Sequence, residues 1–342
     1  MIKKLMSAGM ISLLLVIASL PYAGSGENLR AASAAESNPF EGENLKELKV
    51  AAEAGDWTYY AQSKNLFEET FGRYGIKVTI IQGTIGQESQ LMARGDLHFA
   101  VRMLYPYLLY RSQGAKMTAV QASKHPKPEI ASVIVPKDSP AKTFADLKGK
   151  KIASWRAGCP YMVLFERTED AGWKIDQDWE YVNIPPNNQN NALLSGEIDA
   201  LSAHPLSELA PLLISGNARE VAYALEDGVY VNGGGITVTF APSDFPEKYP
   251  KITKAYIALQ EATEQKLLEN PDEAAQIVES INRTPAEVSK FSWNRFKATY
   301  KSEFDLEKVK SETIAMQEWL LAHGDIQNAV DVDELFDARF FD

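Results

Sequence analysis

The sequence feature that most constrains the fold is an internal repeat. In residues 46–101, three strand-like apolar runs alternate with two helical patterns. Residues 151–202 have the same order, and Gly95 aligns with Gly196 at the same offset as the surrounding residues. Strands that alternate with crossover helices predict mostly parallel sheets covered by helices on both faces. The sequence therefore predicts an α/β protein built from two similar units.

The pattern also predicts how the two units are connected. Two β-branched runs, residues 131–136 and 235–242, flank the second copy and are expected to cross between the units as a hinge. We expect lobe 1 to comprise residues 46–130 and 236–342, and lobe 2 to comprise residues 131–235. The chain after Ser243 has helical spacing, and its helices are expected to pack on lobe 1. The individual expectations are strands at 46–51, 76–82, 97–101, 151–155, 180–184 and 198–202, and helices at 57–74, 87–94, 160–170, 188–194, 249–268, 272–281, 285–296 and 306–323.

A ligand site is expected between the two units. Ligands of open α/β sheets bind at the carboxyl ends of the strands. Because the unit occurs twice, its two carboxyl-end crevices can face each other across one cleft. The alternative is two independent α/β domains that share no site.

The N-terminus predicts export. Lys3 and Lys4 precede an apolar run from Met10 to Leu20, followed by small residues, which is typical of a signal peptide over residues 1–26. An uncleaved membrane anchor is the alternative. Residues 27–45 predict a flexible lead-in. Because Cys159 is the only cysteine, the leader lacks a cysteine that could accept a lipid, and we expect a soluble periplasmic protein.

Composition excludes several classes of function. The formal net charge is -11, which disfavours a nucleic-acid partner. With 4 histidines and 1 cysteine, the chain has no metal-site spacing, and it has no phosphate-binding or dinucleotide motif, so we expect no metal, no cofactor and no enzyme activity. The enzymatic alternative is Cys159 as a nucleophile at a helix start. We expect a monomer.

Four segments carry a family resemblance, and together they span almost the whole mature chain. They are Lys137–Pro140 with Thr143–Ala153, Leu194–Ala200, Asn270–Ala275, and Val330–Leu335. In this order and spacing they resemble the solute-binding proteins of ABC importers, with the aliphatic sulfonate, taurine and nitrate binders as the most similar group. The resemblance implies a two-lobed type II periplasmic-binding fold that closes like a Venus flytrap, and a membrane permease as partner.

Three loops depart from the family's pattern and leave the ligand open. The first is Gly55–Tyr60, the third is Arg102–Tyr105, and Ser202–Pro205 replaces a Trp-x-x-Pro. Sulfonate, nitrate, carboxylate and an acidic heterocycle all stay candidates, and a sensory role in place of import is the functional alternative. Enzymes that make the thiamine pyrimidine resemble this fold too, but their histidine and cysteine cluster has no counterpart here.

The strongest site candidates are two arginines at the ends of strands. Arg156 precedes Gly158, Cys159 and a helix start, where free N–H groups favour an anion; the resemblance implies that this loop contacts the acidic head of the ligand. Arg102 follows a buried strand, and its planar fork suits sulfonate, carboxylate or phosphate. The alternatives are an ordinary surface arginine for Arg156, and for Arg102 an ion pair with Asp56 or Glu53.

The remaining candidates are aromatic, amide and glycine residues. Helical spacing predicts that Trp57, Tyr59 and Tyr60 cannot all be core residues, so at least one should form a cleft wall. Gln87 and Asn188 are amides that could bind a ligand or cap a helix. His204 occupies the family's aromatic position. The full set of predicted ligand-binding residues is Asp56, Trp57, Tyr59, Gln87, Arg102, Tyr105, Arg156, Gly158, Cys159, Asn188, His204 and Gly234.

Overall fold

A computed structural model of the protein describes residues 37–52, 57–124, 131–156, 158–204, 209–296 and 305–341. The predicted signal peptide and Asp56 lie outside the described residues. Residues 39–342 form one compact unit. In the described ranges, every helix is too short or too polar to cross a bilayer.

Strands and helices alternate through most of the chain, and a run of helices follows the last strand. The strands are β1 Glu47–Ala51, β2 Lys77–Ile81, β3 Ala100–Met103, β4 Met117–Lys124, β5 Ser132–Pro136, β6 Lys151–Ser154, β7 Glu180–Asn183, β8 Ala200–Ala203, β9 Ala218–Tyr223 and β10 Ile236–Pro242. The helices are α1 Trp57–Ser63, α2 Leu66–Thr70, α3 Glu88–Ala93, α4 Leu104–Ser112, α5 Pro160–Asp170, α6 Pro186–Ser195, α7 Ala210–Ile214, α8 Phe245–Lys248, α9 Pro250–Glu269, α10 Pro271–Asn282, α11 Ala286–Phe296 and α12 Leu306–Ala322.

The strand order repeats. One five-stranded sheet, here the second sheet, has the order β7-β6-β8-β5-β9. The remaining strands form the pair β1-β2 and the triplet β3-β10-β4, and a parallel bridge from Val50 to Phe99 places β1 beside the entry to β3. This first layer therefore runs β2, β1, β3, β10, β4, which is the order of the second sheet repeated.

The pairing is parallel within each copy and antiparallel at the two strands that flank the second copy. β1-β2, β6-β7 and β6-β8 are parallel, as predicted. β10 follows β9 in the chain but pairs antiparallel with β3 and β4, whereas β5 follows β4 and pairs antiparallel with β8 and β9. Because these two strands enter each layer from the other copy, the sheets are mixed rather than mostly parallel.

The helix predicted over 57–74 is divided. Asn65 has a positive φ of 60°, a left-handed conformation that interrupts helical hydrogen bonding between α1 and α2. A 3₁₀ turn at Gly72–Tyr74 follows, and Gly75 at φ 82° ends the segment. The apolar spacing therefore predicts the helical segment and its end, but not the break at Asn65.

The ordered body begins earlier than composition predicts. Phe40 is 3% exposed, and its ring stacks on Phe71 with centroids 5.5 Å apart. The carboxylate of Glu43 accepts hydrogen bonds from the backbone N–H groups of Lys251 and Ile252, at 2.7 and 3.0 Å. These N–H groups lie in the first turn of α9 and lack helical partners, so Glu43 stabilises the start of that helix. Residues 39–45 are thus part of the folded body and not of a flexible lead-in.

The C-terminal helices contact both layers. Tyr256 of α9 packs edge-on against Trp57 of α1, as expected for helices that return to the first layer. In contrast, Arg295 of α11 pairs with Glu220 of β9 at 2.6 Å. Trp319 of α12 packs against Phe165 of α5, with centroids 6.1 Å apart. The expectation that these helices pack on lobe 1 is therefore incomplete. α9 packs on the first layer, whereas α11 and α12 also contact β9 and α5 through charged and aromatic side chains.

Candidate functional site

The first turns of two helices, one from each copy, meet at one place. β3 runs directly into α4, and Cys159 immediately precedes α5. Tyr105 and Tyr161 are the second residues of these helices, and their rings lie roughly parallel with centroids 6.4 Å apart. The Tyr105 hydroxyl donates a 2.6 Å hydrogen bond to the carbonyl oxygen of Arg156. The first turns of two helices therefore flank the same small region. In α5 the backbone N–H groups of Tyr161 and Met162 already donate to the carbonyls of Gly158 and Cys159, at 3.1 and 3.0 Å.

Arg102 enters this region from β3 with a carboxylate at its side. Its side chain is 11% exposed, and its Nε lies 3.4 Å from Oε1 of Glu88, which is fully buried. The other oxygen of Glu88 accepts a 2.6 Å hydrogen bond from the Tyr110 hydroxyl. The ion-pair alternative for Arg102 is thus observed among the described residues, but with Glu88 of α3 and not with either expected carboxylate.

Arg102 also acts across the site on the second copy. Burial, and after it the positive charge of Arg102, lowers the pKa of His204 to about 4. His204 directly follows β8, and its imidazole is consequently neutral at pH 7. The charge of Arg102 therefore affects a residue at the carboxyl end of β8.

Arg156 is more than an ordinary surface arginine, although its side chain is 58% exposed. Its Nε and Nη2 lie 3.4 and 3.2 Å from Oδ1 of Asp325. Its backbone N–H donates to Oδ1 of Asn183 at 3.0 Å, and its guanidinium lies 5.8 Å from the ring centre of Tyr161. The Asp325 side chain is only 2% exposed, and this burial raises its pKa despite the hydrogen bond from Arg156.

Cys159 is a packed residue at the start of α5. It is 4% exposed, and burial raises the pKa of its thiol to about 12. A thiol with that pKa carries almost no thiolate at neutral pH, which weighs against the nucleophile alternative. Gly158 closes the preceding turn: its N–H donates to the carbonyl of Trp155 at 2.9 Å, and an added Cβ would lie 3.3 Å from that oxygen.

Three tyrosines form the wall beside Arg156 and Asp325. Burial, and after it the charge of Asp325, raises the pKa of Tyr161 to about 12. The same two causes raise the pKa of Tyr105. The Tyr181 hydroxyl donates to the backbone oxygen of Ser154 at 3.3 Å. At neutral pH these phenols are therefore protonated, so they offer apolar faces and hydrogen-bond donors rather than negative charge.

Gly234 is packed rather than open. It ends a π-helix at Tyr230–Gly234, and an added Cβ would lie 3.1 Å from Cε of Met162 in the first turn of α5. The same Cβ would lie 3.3 Å from the Tyr230 ring. The absence of a side chain thus allows this segment to lie directly against the start of α5.

The structure does not bring the first-loop aromatics into the region around the arginines. Trp57, Tyr59 and Tyr60 are all buried, so the prediction that one of them forms a cleft wall is wrong. The reason is that α1 is covered on more than one side: Trp57 packs against Tyr256 of α9, and the Tyr59 hydroxyl donates to the carbonyl of Ala52 at 3.3 Å.

The two predicted amides lie at exposed helix starts. Gln87 precedes α3, caps no backbone N–H there, and donates its side-chain N–H to the carbonyl of Gly83 at 3.4 Å. Asn188 is an exposed residue in the first turn of α6. Both amides stay candidates for contact with a ligand that extends outward from the arginines.

Two further observations concern the chemistry and the location of the candidate site. Within the described ranges, histidine, cysteine and carboxylate side chains do not gather into a group that could hold a metal ion.

A groove of about 420 Å³ lies elsewhere, between α1, α2 and β2, and is lined by Gln62, Asn65, Phe67, Glu68 and Lys77 among others. None of its lining residues belongs to the arginine region, and it brings together no pair of cations from the two copies, so we place the candidate site at the helix starts.

Sequence reasoning missed Glu88 and Asp325. Glu88 has a weak signal, because it opens α3 in the loop that follows β2 at a strand's carboxyl end. Asp325 follows α12 by three residues, and nothing in its local sequence links it to Arg156, which is 169 residues away. Only the tertiary structure brings these two carboxylates to the arginines.

Comparison with known protein families assigns the chain to one family. Residues 57–274 match the family model described as NMT1/THI5 like. The chain belongs to the NMT1/THI5-like family. A search of curated proteins finds a protein of Escherichia coli (strain K12) described as an aliphatic sulfonates-binding protein, 27% identical over 206 residues. That alignment spans 60% of this chain and 60% of that protein's length.

Solved structures agree on the fold of this family member. The periplasmic aliphatic sulphonate binding protein SsuA from Escherichia coli superposes with a TM-score of 0.74 at 18% identity, over 86% of this chain and 92% of that one. The alkanesulfonate-binding protein SsuA from Xanthomonas axonopodis pv. citri, bound to MOPS, gives 0.73 at 18% identity, over 86% and 99%. The desulfurization enzyme DSZB gives 0.61 at 15% identity, over 86% and 97%. The predicted two-lobed periplasmic-binding-protein fold is thus confirmed, and the same fold also serves an enzyme.

Proposed function

We propose that this chain is an exported solute-binding protein of an ABC importer that binds a small anionic organic solute, with a sulfonate as the leading candidate. One observation carries the proposal: the starts of α4 and α5, one from each copy, meet with an arginine on each side. The names of its sulfonate-binding relatives support this choice of ligand.

The proposed architecture is two lobes that close on the solute. Lobe 1 would comprise residues 46–130 and 236–342, and lobe 2 residues 131–235, with the chain crossing between β4 and β5 and between β9 and β10. The exchange of β5 and β10 between the strand layers supports these bounds. The partner would be a membrane permease, the mature protein a periplasmic monomer, and residues 1–26 its signal peptide.

The geometry explains how an anion could be retained. A sulfonate oxygen can accept hydrogen bonds from a guanidinium fork, and the positive end of a helix dipole also favours an anion. Because Tyr105 and Arg156 already bond across the two copies, a ligand there would add contacts to both at once. A bound solute would therefore favour the closed arrangement by its differential affinity for it.

A thermal-shift screen tests the ligand class. Methanesulfonate, ethanesulfonate, nitrate, acetate, neutral sugars and a cationic amine would each be added to the mature protein. A ligand at 100 times its Kd stabilises the folded state by about 2.7 kcal/mol. We expect sulfonates to raise the melting temperature most, and stabilisation by sugars or amines alone would contradict the proposal.

A matched pair of variants tests whether the ligand binds beside Arg156. Arg156 and Arg339 are 58% and 56% exposed, and each pairs with one aspartate, but only Arg156 lies in the candidate site. Arg156→Gln should weaken sulfonate binding by roughly tenfold or more, the equivalent of a lost charge-assisted hydrogen bond. Arg339→Gln should leave the affinity unchanged. Equal effects in the two variants would place the ligand elsewhere.

A further inference from the structure

Each arginine of the candidate site already has a buried carboxylate partner. Glu88, which is fully buried, lies 3.4 Å from Nε of Arg102. Asp325, which is 2% exposed, lies 3.2 Å from Nη2 of Arg156. The two positive charges are therefore compensated before any ligand arrives.

Both carboxylates are held in place. Glu88 accepts a hydrogen bond from Tyr110 of α4, which fixes its second oxygen at 2.6 Å. Asp325 lies where the chain leaves α12, and its backbone N–H donates to the carbonyl of Leu320 at 2.9 Å. Its Oδ2 is buried and has no hydrogen-bond partner among the described residues. Tyr110 thus holds the carboxylate of Glu88, and the hydrogen bond to Leu320 holds the backbone of Asp325.

We propose that Glu88 and Asp325 determine the specificity of this site, so that it accepts a monoanionic oxyanion head and rejects a dianion of the same shape. The inference rests on the proposed function and names the charge class of its ligand. It concerns two residues that only the tertiary contacts place in the site.

The physical argument is one of charge scaling. The cost of removing an ion from water rises with the square of its charge, so a dianion loses about four times the hydration free energy of a monoanion. Its Coulomb attraction to the two arginines only doubles, and its repulsion from the two carboxylates doubles as well. With each arginine compensated, hydrogen bonds alone remain to offset desolvation, and these suffice only for the monoanion.

Methanesulfonate and sulfate are the probes for this proposal. Both are tetrahedral and share three sulfonyl-type oxygens, but sulfate has a fourth oxygen in place of the methyl group and carries a second negative charge. Their affinities would be measured by calorimetry at constant ionic strength, at pH 8, for the wild type and for Glu88→Gln, Asp325→Asn and Asp333→Asn. The last variant removes a charge from an exposed residue that pairs with Lys310, and it is the control.

We expect the wild type to bind methanesulfonate at least about tenfold more tightly than sulfate. Each site variant should shift that ratio at least about tenfold toward sulfate, because one unit charge removed even at about 12 Å accounts for that factor at an effective dielectric constant of about 20. The control should leave the ratio unchanged. A ratio of two affinities is used because partial damage to the fold weakens both probes alike.

The possible outcomes distinguish the claim of charge selectivity from the claim that the protein binds an anionic solute. A wild type that binds sulfate as tightly as methanesulfonate, or ratios that do not move in Glu88→Gln and Asp325→Asn, would overturn the inference while leaving solute binding intact. A wild type that binds neither probe would overturn both. If Glu88→Gln does not fold, Asp325→Asn decides alone, because water can solvate the exposed Arg156 that it leaves behind.

Discussion

Arg102 and Arg156 lie at strand ends of different copies, at positions that the repeat does not relate, and they differ in their surroundings. Arg102 lies in β3, Arg156 lies two residues after β6, and each has one carboxylate partner. The Arg102 side chain is 11% exposed, whereas the Arg156 side chain is 58% exposed. Arg102 is thus part of a buried ion pair, and Arg156 faces water on its outer side.

The difference shows that two arginines at the ends of strands in one site can have different roles. A buried pair fixes geometry, because neither partner has water as an alternative. A half-solvated pair can exchange its carboxylate contact for a ligand at lower cost. We therefore expect Arg102 to set the shape and charge of the site and Arg156 to make the adjustable contact, which stability measurements can test.

The largest expected effect is on the buried pair. Glu88→Gln leaves the guanidinium of Arg102 buried without its counter-charge, and breaking such a pair costs about 3–5 kcal/mol. Urea unfolding at pH 7 would measure the loss. Glu180→Gln removes a carboxylate that is 59% exposed and should cost less than about 1 kcal/mol. A loss below about 1 kcal/mol in Glu88→Gln as well would erase the contrast between the two arginines.

A third buried carboxylate accepts hydrogen bonds from backbone amides instead of pairing with an arginine, and it can be compared with the other two. Glu166 of α5 is 3% exposed and accepts hydrogen bonds from the backbone N–H groups of Leu225 and Tyr230. Burial raises its pKa to about 7, which these two hydrogen bonds oppose. Amide donors thus compensate the charge less completely than desolvation penalises it.

The raised pKa of Glu166 gives a defined pH dependence. Because the folded state holds the proton more tightly, its contribution to stability is complete below pH 4.5 and is lost as the pH rises through about 7. The loss is about 3 kcal/mol, from roughly 1.4 kcal/mol for each pH unit. The free energy of unfolding of the wild type minus that of Glu166→Gln, measured from pH 4.5 to 8, should fall by this order. A flat difference would show that the carboxylate is ionised throughout.

The smallest expected effect is on the pair of Arg156 and Asp325, in which only the arginine faces water. Asp325→Asn removes the partner of Arg156, but water can solvate the guanidinium, and the asparagine oxygen can still accept its hydrogen bond. We expect a change in the free energy of unfolding of no more than about 1 kcal/mol. A loss as large as that of Glu88→Gln would mean that Arg156 is as structural as Arg102.

Much of the fold can be predicted from the sequence because the repeat fixes it locally. Gly95 and Gly196 end equivalent helices, and the β-branched runs correctly predict the strands β5 and β10. The pairing direction of β5 and β10 is not predicted, because it depends on which layer each strand joins. The break at Asn65 is not predicted either, because a left-handed residue leaves the apolar spacing almost intact.

The candidate site is less predictable, because it depends on long-range contacts. Arg102, Arg156, Cys159 and Tyr105 can be placed from strand ends and helix starts. Glu88 and Asp325 cannot, since their roles arise from packing between distant segments. The prediction for the first-loop aromatics fails because periodicity shows which helix faces are apolar but not how many neighbours cover them.

The central claim is that an anion binds where the starts of α4 and α5 meet, and calorimetric titration of the mature protein with methanesulfonate tests it most directly. The account predicts saturable binding of one ligand per chain, and weaker binding in Arg156→Gln than in Arg339→Gln. Titrations without heat for methanesulfonate and its longer homologues, or the same affinity in both variants, would contradict it.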